Sequence, residues 1–420
     1  MKEYTLSEIA TIKSGKRLPK GHELSNTPSP YPYIKAKDIK KGKVNSIGLE
    51  FVDESTRKKI AKYIVSENDV LITIVANIGD VGIVPKKLNH ANLTENAVRL
   101  TNLKLFVDAQ YLTYILSQKD YKEYMESLAA GAAQAKLGIY KIEKIKINLP
   151  ELSIQKHIAS ILSAYDNLIE VNNQRIELLE QSARELYKEW FVRMRFPNYQ
   201  NTKFNKGIPE GWKINKINEN ISFQIGGGWG EDKKNITYTI PAYIIRGTDI
   251  PKIKSGIPNK DIYRFHKPGN IKSRELIEGD IIFEAAGGSE GQLLGRTCYI
   301  TNELLETYGD KVIPASFCKL IRAEKKISLY LYYFLNYLYN TGLIETFQLQ
   351  STGISNYQFE PFLKFQEMII PPDNLLINFH ERTLLIQKQI ALIGKQNQEL
   401  TAIRDRLLPR LISGKLEVKA

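Results

Sequence analysis

Between Pro150 and Trp190 one stripe of positions recurs in alternating steps of four and three residues: Ile158, Leu162, Tyr165, Ile169, Asn172, Ile176, Leu179, Ala183, Leu186 and Trp190. No other stretch constrains the fold as strongly, because such a stripe lies along one side of a helix and requires a second helix against it. Pro150 suits a first helical position and Pro197 lies beyond the end. The spacing therefore predicts a helix of roughly 40 residues, about 60 Å long at 1.5 Å per residue. Asn172 is polar, and on the stripe it either fixes register at a cost in stability or marks a solvated position.

A candidate partner lies in the same chain. Residues 371–414 begin at Pro371, offer Asp373 as an N-cap and reach Gly414 as a C-terminal stop. Moving 224 residues on lays Leu162 on Ile386, Ile169 on Ile393, Ile176 on Leu400 and Ala183 on Leu407, so one row of the seam is kept. The other row is lost, because Tyr165 falls on Gln389 and Leu186 on Arg410. The second helix must drift in register or pack with a different face, and Pro409 should kink its last turns. The expected pairing residues are Leu162, Ile169, Asn172, Ile176 and Leu179 against Ile386, Ile393, Leu400 and Leu407. Two unrelated amphipathic helices are the alternative.

The segments between these helices repeat. Ile34–Ile39 (IKAKDI) matches Ile245–Ile250 (IRGTDI) and Glu67–Ile72 (ENDVLI) matches Glu278–Phe283 (EGDIIF), both 211 residues on. Tyr111-Leu112 matches Tyr330-Leu331 at 219 and Leu149-Pro150 matches Ile370-Pro371 at 221, so the offset grows steadily, as loop insertions would make it. Strands are expected at Tyr33–Ile34, Val70–Val75, Val81–Val84, Val98–Leu100 and Ile145–Leu149, with a helix over Asp108–Leu128. The reading is an α+β chain made by tandem duplication of a mixed α/β domain, each copy followed by a long helix. The boundaries are a first domain at 1–149, a helix at 150–195, a linker at 196–211, a second domain at 212–370, a helix at 371–414 and a tail at 415–420.

A formal charge of +13 favours a polyanionic partner, nucleic acid first. No apolar run approaches a membrane span, Met1–Ala10 is no signal peptide, and Cys298 and Cys318 are too few for a disulfide framework, so a cytoplasmic protein is expected. Motifs for catalysis are missing. His22, His90, His157, His266 and His380 have no metal-ligand spacing with the cysteines. The run Gly226–Glu231 (GGGWGE) fails the dinucleotide fingerprint at Glu231 and reads as a flexible loop. Ser14-Gly15-Lys16 and Ser413-Gly414-Lys415 lack the upstream glycine of a phosphate loop, with Ala10 and Pro409 in its place. No cofactor or metal is expected on this chain.

For contacts to DNA, amides and cations on loops are the candidates. The loop Ala129–Gly138 offers Gln134 for adenine and Lys136 for guanine or phosphate. Its counterpart at Gln350–Gln358 offers Ser355, Asn356 and Gln358. Lys16, Arg17, Lys20, Lys35, Lys37, Trp229, Arg246 and Thr248 complete the set, with ordinary turns and a solvated basic face as the competing explanation. Two domains held apart by rigid helices suit a long ligand read at two places, since one turn of DNA spans about 34 Å.

Three segments, Ala183–Pro197 (ARELYKEWFVRMRFP), Gly207–Trp212 (GIPEGW) and Arg404–Leu416 (RDRLLPRLISGKL), resemble the helical regions of type I restriction-modification specificity subunits. The resemblance implies two target-recognition domains reading a gapped bipartite site in double-stranded DNA, with the helices packed as an antiparallel coiled coil. It also implies that two methyltransferase subunits dock on the helices and that restriction subunits join them. S-adenosylmethionine, ATP and magnesium would belong to those partners. The competing functions are a nonspecific coiled-coil DNA-binding scaffold and a metal-dependent nuclease using carboxylates such as Asp280 and Glu284.

Overall fold

The computed structural model describes residues 1–130, 135–287, 292–349 and 355–418. The chain divides into two compact units, Met1–Asn167 with the segment from Ala402 onward, and Leu168–Thr401. Each unit thus takes a stretch of both long helices into its own packing.

In the first unit the apolar run Val70–Thr73 is buried on both faces at the centre of a six-stranded sheet. Its order is Thr11–Ser14, Ala97–Thr101, Val70–Thr73, Val81–Ile83, Gly42–Val44, Ile39–Lys40. A three-stranded sheet sets Pro32–Ile34 between Glu50–Phe51 and Asn92–Leu93, and Lys2–Thr5 pairs with Lys146–Leu149. The single helix expected over Asp108–Leu128 is two helices, Ala109–Leu116 and Lys119–Ala129. Gln118 is extended between them (ψ 148°), where the fully buried run Tyr111–Leu116 gives way to a polar stretch that starts a solvent-facing helix.

The second unit repeats the core of this pairing in matched register. Tyr33 opposite Asn92 is answered by Ile244 opposite Ile313, Lys2 opposite Leu149 by Lys213 opposite Ile370, and Thr73 opposite Ala97 by Glu284 opposite Cys318. Turn chemistry repeats too. Asn68 and Gly279 both take positive φ (68° and 97°), and the following Asp69 and Asp280 accept the amides of Ser66 and Ile277 at 2.8 Å. The copies differ where the hairpin of Ile39–Lys40 and Gly42–Val44 is replaced by the helix Ile250–Lys254, with Pro251 in its first turn.

The first long helix is Leu152–Tyr187, running into a π-helical turn at Lys188–Val192. The second is Asp373–Ile412 and continues past Pro409. Asp373 is its first residue rather than its cap, and its carboxylate meets Lys326 Nζ at 2.8 Å. In the second unit Ile176 clusters with Ile390 and Ile393, flanked by Leu179 and Ile386. Asn172 Nδ2 donates to Gln396 Oε1 at 3.0 Å and Asn397 Oδ1 at 2.9 Å, and Gln387 Nε2 donates to Glu180 Oε1 at 3.0 Å. Partner numbers fall along one helix as they rise along the other, so the pairing is antiparallel. In the first unit Leu162 shares a core with Leu407 and Leu411, and Arg404 pairs with Asp166 at 2.5 Å. Ile169 and Leu400 are half-buried.

The second row of the later helix is Thr383, Ile390, Asn397, Arg404 and Leu411. It is hidden from an apolar pattern because three of its five members are polar or charged. Asn397 and Arg404 are satisfied across the seam and Thr383 by the Phe379 carbonyl of its own helix, which is how a mixed row can be buried. Replacing Asn172 by alanine should cost about 1–3 kcal/mol, since it leaves the buried Oδ1 of Asn397 without its donor. Replacing Asn172 and Asn397 together by leucine should recover most of that loss; chemical denaturation of the single and double variants measures the difference.

Candidate nucleic-acid interface

At one end of the first unit's sheet four segments meet through three backbone hydrogen bonds. Gly15 N donates to Ala97 O (3.1 Å), Ile74 N to Asn96 O (2.8 Å) and Leu137 N to Ile74 O (3.0 Å). Gly15 must be glycine here, since a Cβ would lie 2.0 Å from Thr94 O. The segments form an open depression lined by Lys16, Arg17, Tyr63, Glu95 and Lys136. Lys16 Nζ sits 5.7 Å from the Tyr63 ring centre, and the exposed Arg17 is 3.7 Å from Glu95. Two cations from the chain start and one from the loop before Leu137 therefore share one surface, suited to phosphate or to base edges. Lys20 is exposed. Gln134 lies outside the described residues.

The second unit makes the same three bonds: Gly227 N to Cys318 O (2.9 Å), Ala285 N to Phe317 O (2.9 Å) and Tyr357 N to Ala285 O (2.9 Å). Gly227 repeats the close approach, with a Cβ falling 2.1 Å from Ala315 O. This registers Arg17 with Trp229, Tyr63 with Arg274 and Lys136 with Asn356. The run Gly226–Glu231 is pinned rather than flexible, because the amides of Gly227, Gly228 and Glu231 are spent on Cys318, Pro314 and Phe265 carbonyls. Those amides are not available to cradle a phosphate, so the run does not fit a nucleotide. Trp229 stays 42% exposed, with the Arg264 guanidinium 5.0 Å from its ring centre. Asn356 is exposed, Ser355 half-buried in its strand, and Gln358 precedes the helix Phe359–Phe365.

Lys35 and Arg246 occupy matched positions that do a structural task. Each opens a 3-10 turn whose third residue, Asp38 or Asp249, accepts its backbone amide at 2.8 and 2.9 Å. Arg246 also forks onto Asp249, with both side-chain bonds at 3.0 Å. Burial raises Asp249, but the bonds from Arg246 and Asn259 outweigh it and hold the carboxyl below its ordinary value. Lys35 and Lys37 both face Glu50, whose carboxyl is lowered chiefly by the Lys35 hydrogen bond. Lys35 and Arg246 are therefore weaker DNA candidates than Lys16 or Lys136, while Thr248 is exposed. Tyr63, Arg264 and Arg274 were not singled out in the sequence, although the 211-residue offset already lays Tyr63 on Arg274.

The carboxylates suggested for a nuclease are engaged. Asp280 takes both bonds of an Arg322 fork at 2.6 and 2.7 Å, and Glu284 those of Arg296 at 2.7 and 2.6 Å. They stand apart in separate ion pairs instead of converging on a metal position.

Comparison with known proteins matches residues 1–181 to the family model described as type I restriction modification DNA specificity domain. The chain is similar to the type I restriction enzyme MjaIX specificity subunit of Methanocaldococcus jannaschii, 26% identical over 92% of this chain and 87% of that protein. The MjaVIII specificity subunit of the same organism is 33% identical over 47% of this chain and 43% of that protein. In fold, the chain resembles the crystal structure of a type I restriction-modification S subunit from M. genitalium, with a TM-score of 0.58, 16% identity, and 98% and 95% of the two chains covered. Its first 181 residues thus match the family's specificity domain, and over most of its length the chain is similar to a type I restriction enzyme specificity subunit.

Proposed function

We propose that this chain is the noncatalytic, sequence-specific DNA-binding subunit of a type I restriction-modification complex, reading a gapped bipartite site through its two domains. The observation that carries the reading is the repeated strand-end surface, where one backbone frame presents different exposed side chains in each copy. A frame that is kept while its exposed residues change suits two readers of two different half-sites. The excess of basic residues supplies the sequence-independent attraction.

On this reading the long helices also dock two methyltransferase subunits, with restriction subunits joining the assembly. In support, the second unit's stretches of helix leave Leu168, Val171, Leu178, Leu385 and Leu392 exposed, more apolar surface than a solvated helix pair needs. S-adenosylmethionine, ATP and magnesium are assigned to those partners. Among the described residues no helix is long and apolar enough to cross a membrane.

Methylation-sensitive sequencing of cells with and without this chain, the neighbouring methyltransferase being present in both, tests the proposal. Loss of methylation at one gapped, asymmetric motif is expected. An unchanged methylome from a soluble, expressed complex, together with no motif preference on random DNA, would overturn it. Lys16→Ala should weaken binding evenly across sequences and reduce the slope of log affinity against log salt by about one. An unchanged slope removes Lys16 from the phosphate contacts.

A further inference from the structure

We propose that the exposed position held by Lys136 in the first domain and Asn356 in the second is a base-reading position, specifying guanine in one half-site and adenine in the other. This deepens the DNA-recognition reading above and rests on it.

The two positions are equivalent by hydrogen bonding and not merely by alignment. Lys136 bridges to Val75 as Asn356 pairs with Ala286, which lies 211 residues after Val75. The next residue, Leu137 or Tyr357, sends its amide to Ile74 O or Ala285 O and buries its side chain in the core. Strand alternation then forces residues 136 and 356 outward. Their Cα atoms are fixed from both sides, by a buried neighbour and by a strand. Base reading demands such a fixed origin, because hydrogen bonds to base edges tolerate little displacement, whereas a phosphate can be met from a mobile loop.

The chemistry at this fixed point differs between the copies. Lysine carries only donors and suits the paired acceptors O6 and N7 of guanine, while the asparagine amide offers one donor and one acceptor and suits N7 and N6 of adenine. Neither side chain has a hydrogen bond or ion pair among the described residues, so both groups are available. The surroundings agree in the first domain: Lys16 and Arg17 line the same depression and raise its positive potential, favouring a purine with two acceptors in the groove.

The test is selection from a randomised duplex pool by the full chain in complex with its methyltransferase, using the native protein, Lys136→Asn and Asn356→Lys. Lys136→Asn should change one base of one half-site from guanine to adenine, moving the preference about tenfold or more, and leave the other half-site untouched. Asn356→Lys should make the opposite change in the other half-site. Both residues are exposed, and unchanged thermal unfolding of the variants verifies that folding is intact. If the native complex selects a bipartite motif and neither exchange alters it, or if either weakens both half-sites evenly as a phosphate contact would, the inference falls while DNA recognition stands. If the native complex selects no motif, the proposed function falls and takes the inference with it.

Discussion

Replacing Arg296 with alanine should destabilise the second unit by about 3 kcal/mol or more, because it leaves Glu284 buried without its counter-charge. Glu284 is 2% exposed, lies in the central strand Ile281–Glu284 and takes both of its side-chain hydrogen bonds from Arg296. The backbone cannot easily carry the carboxylate out to water, since Glu284 is paired in the sheet with Cys318 and abuts Gly247, where a Cβ would fall 2.4 Å from its Oε1. Desolvation, rather than loss of attraction, makes the single substitution severe. Replacing Glu284 and Arg296 together by methionine should therefore restore most of the stability. Urea denaturation of the single and double variants decides the matter, and equal losses in both would show that packing around Arg296, not the ion pair, is responsible. Glu284 also immediately precedes Ala285, whose carbonyl holds Tyr357, so Arg296→Ala should loosen the Asn356 position and blunt the preference for one half-site.

Gly394→Ala should destabilise the same unit by about 2 kcal/mol, against the direction that helix propensity alone would give. In an unconstrained helix, alanine is favoured over glycine by about 1 kcal/mol. Here the added Cβ would lie 2.4 Å from the carbonyl carbon and oxygen of Gly256 and 2.5 Å from Ser255 O. The obstacle is backbone, which has no rotamer to turn away, so the long helix and the loop after Ile250–Lys254 would have to separate. Gly256→Ala meets Ile390 O at 2.3 Å and is strained at φ +69° besides, so it should cost roughly 1–2 kcal/mol more. Gly21→Ala is the control: its φ is +81°, yet nothing lies within 4 Å of the added carbon. Thermal unfolding should rank Gly21→Ala mildest and Gly256→Ala worst, and a Gly394→Ala protein as stable as the native one would show that the approach can relax.

Much of the fold was legible in the sequence. The runs Val70–Thr73 and Ile281–Glu284 lie in the apolar stretches that follow Asp69 and Asp280, and those aspartates shape the turns before the strands. The candidate site was legible in part. Lys16, Arg17 and Lys136 were recognisable as basic residues near glycine, but their meeting in one depression depends on strand ends more than a hundred residues apart. Arg246 looked like a free cation because its partner Asp249 carries no signal that separates a capping carboxylate from a solvated one.

By itself, the sequence determined what local periodicity and turn chemistry control: the duplication, the central strands of each copy, and the long helix carrying a polar residue on its stripe. These follow from alternation, heptad spacing and positive-φ positions, each encoded within a few neighbouring residues. Only the tertiary structure decided which face of the later helix is buried, that Asn172 meets Asn397 rather than water, that Gly226–Glu231 is pinned, and that Lys136 and Asn356 occupy one matched position. Each of these depends on groups brought together from distant parts of the chain, where burial and hydrogen-bond satisfaction outweigh what any single stretch prefers.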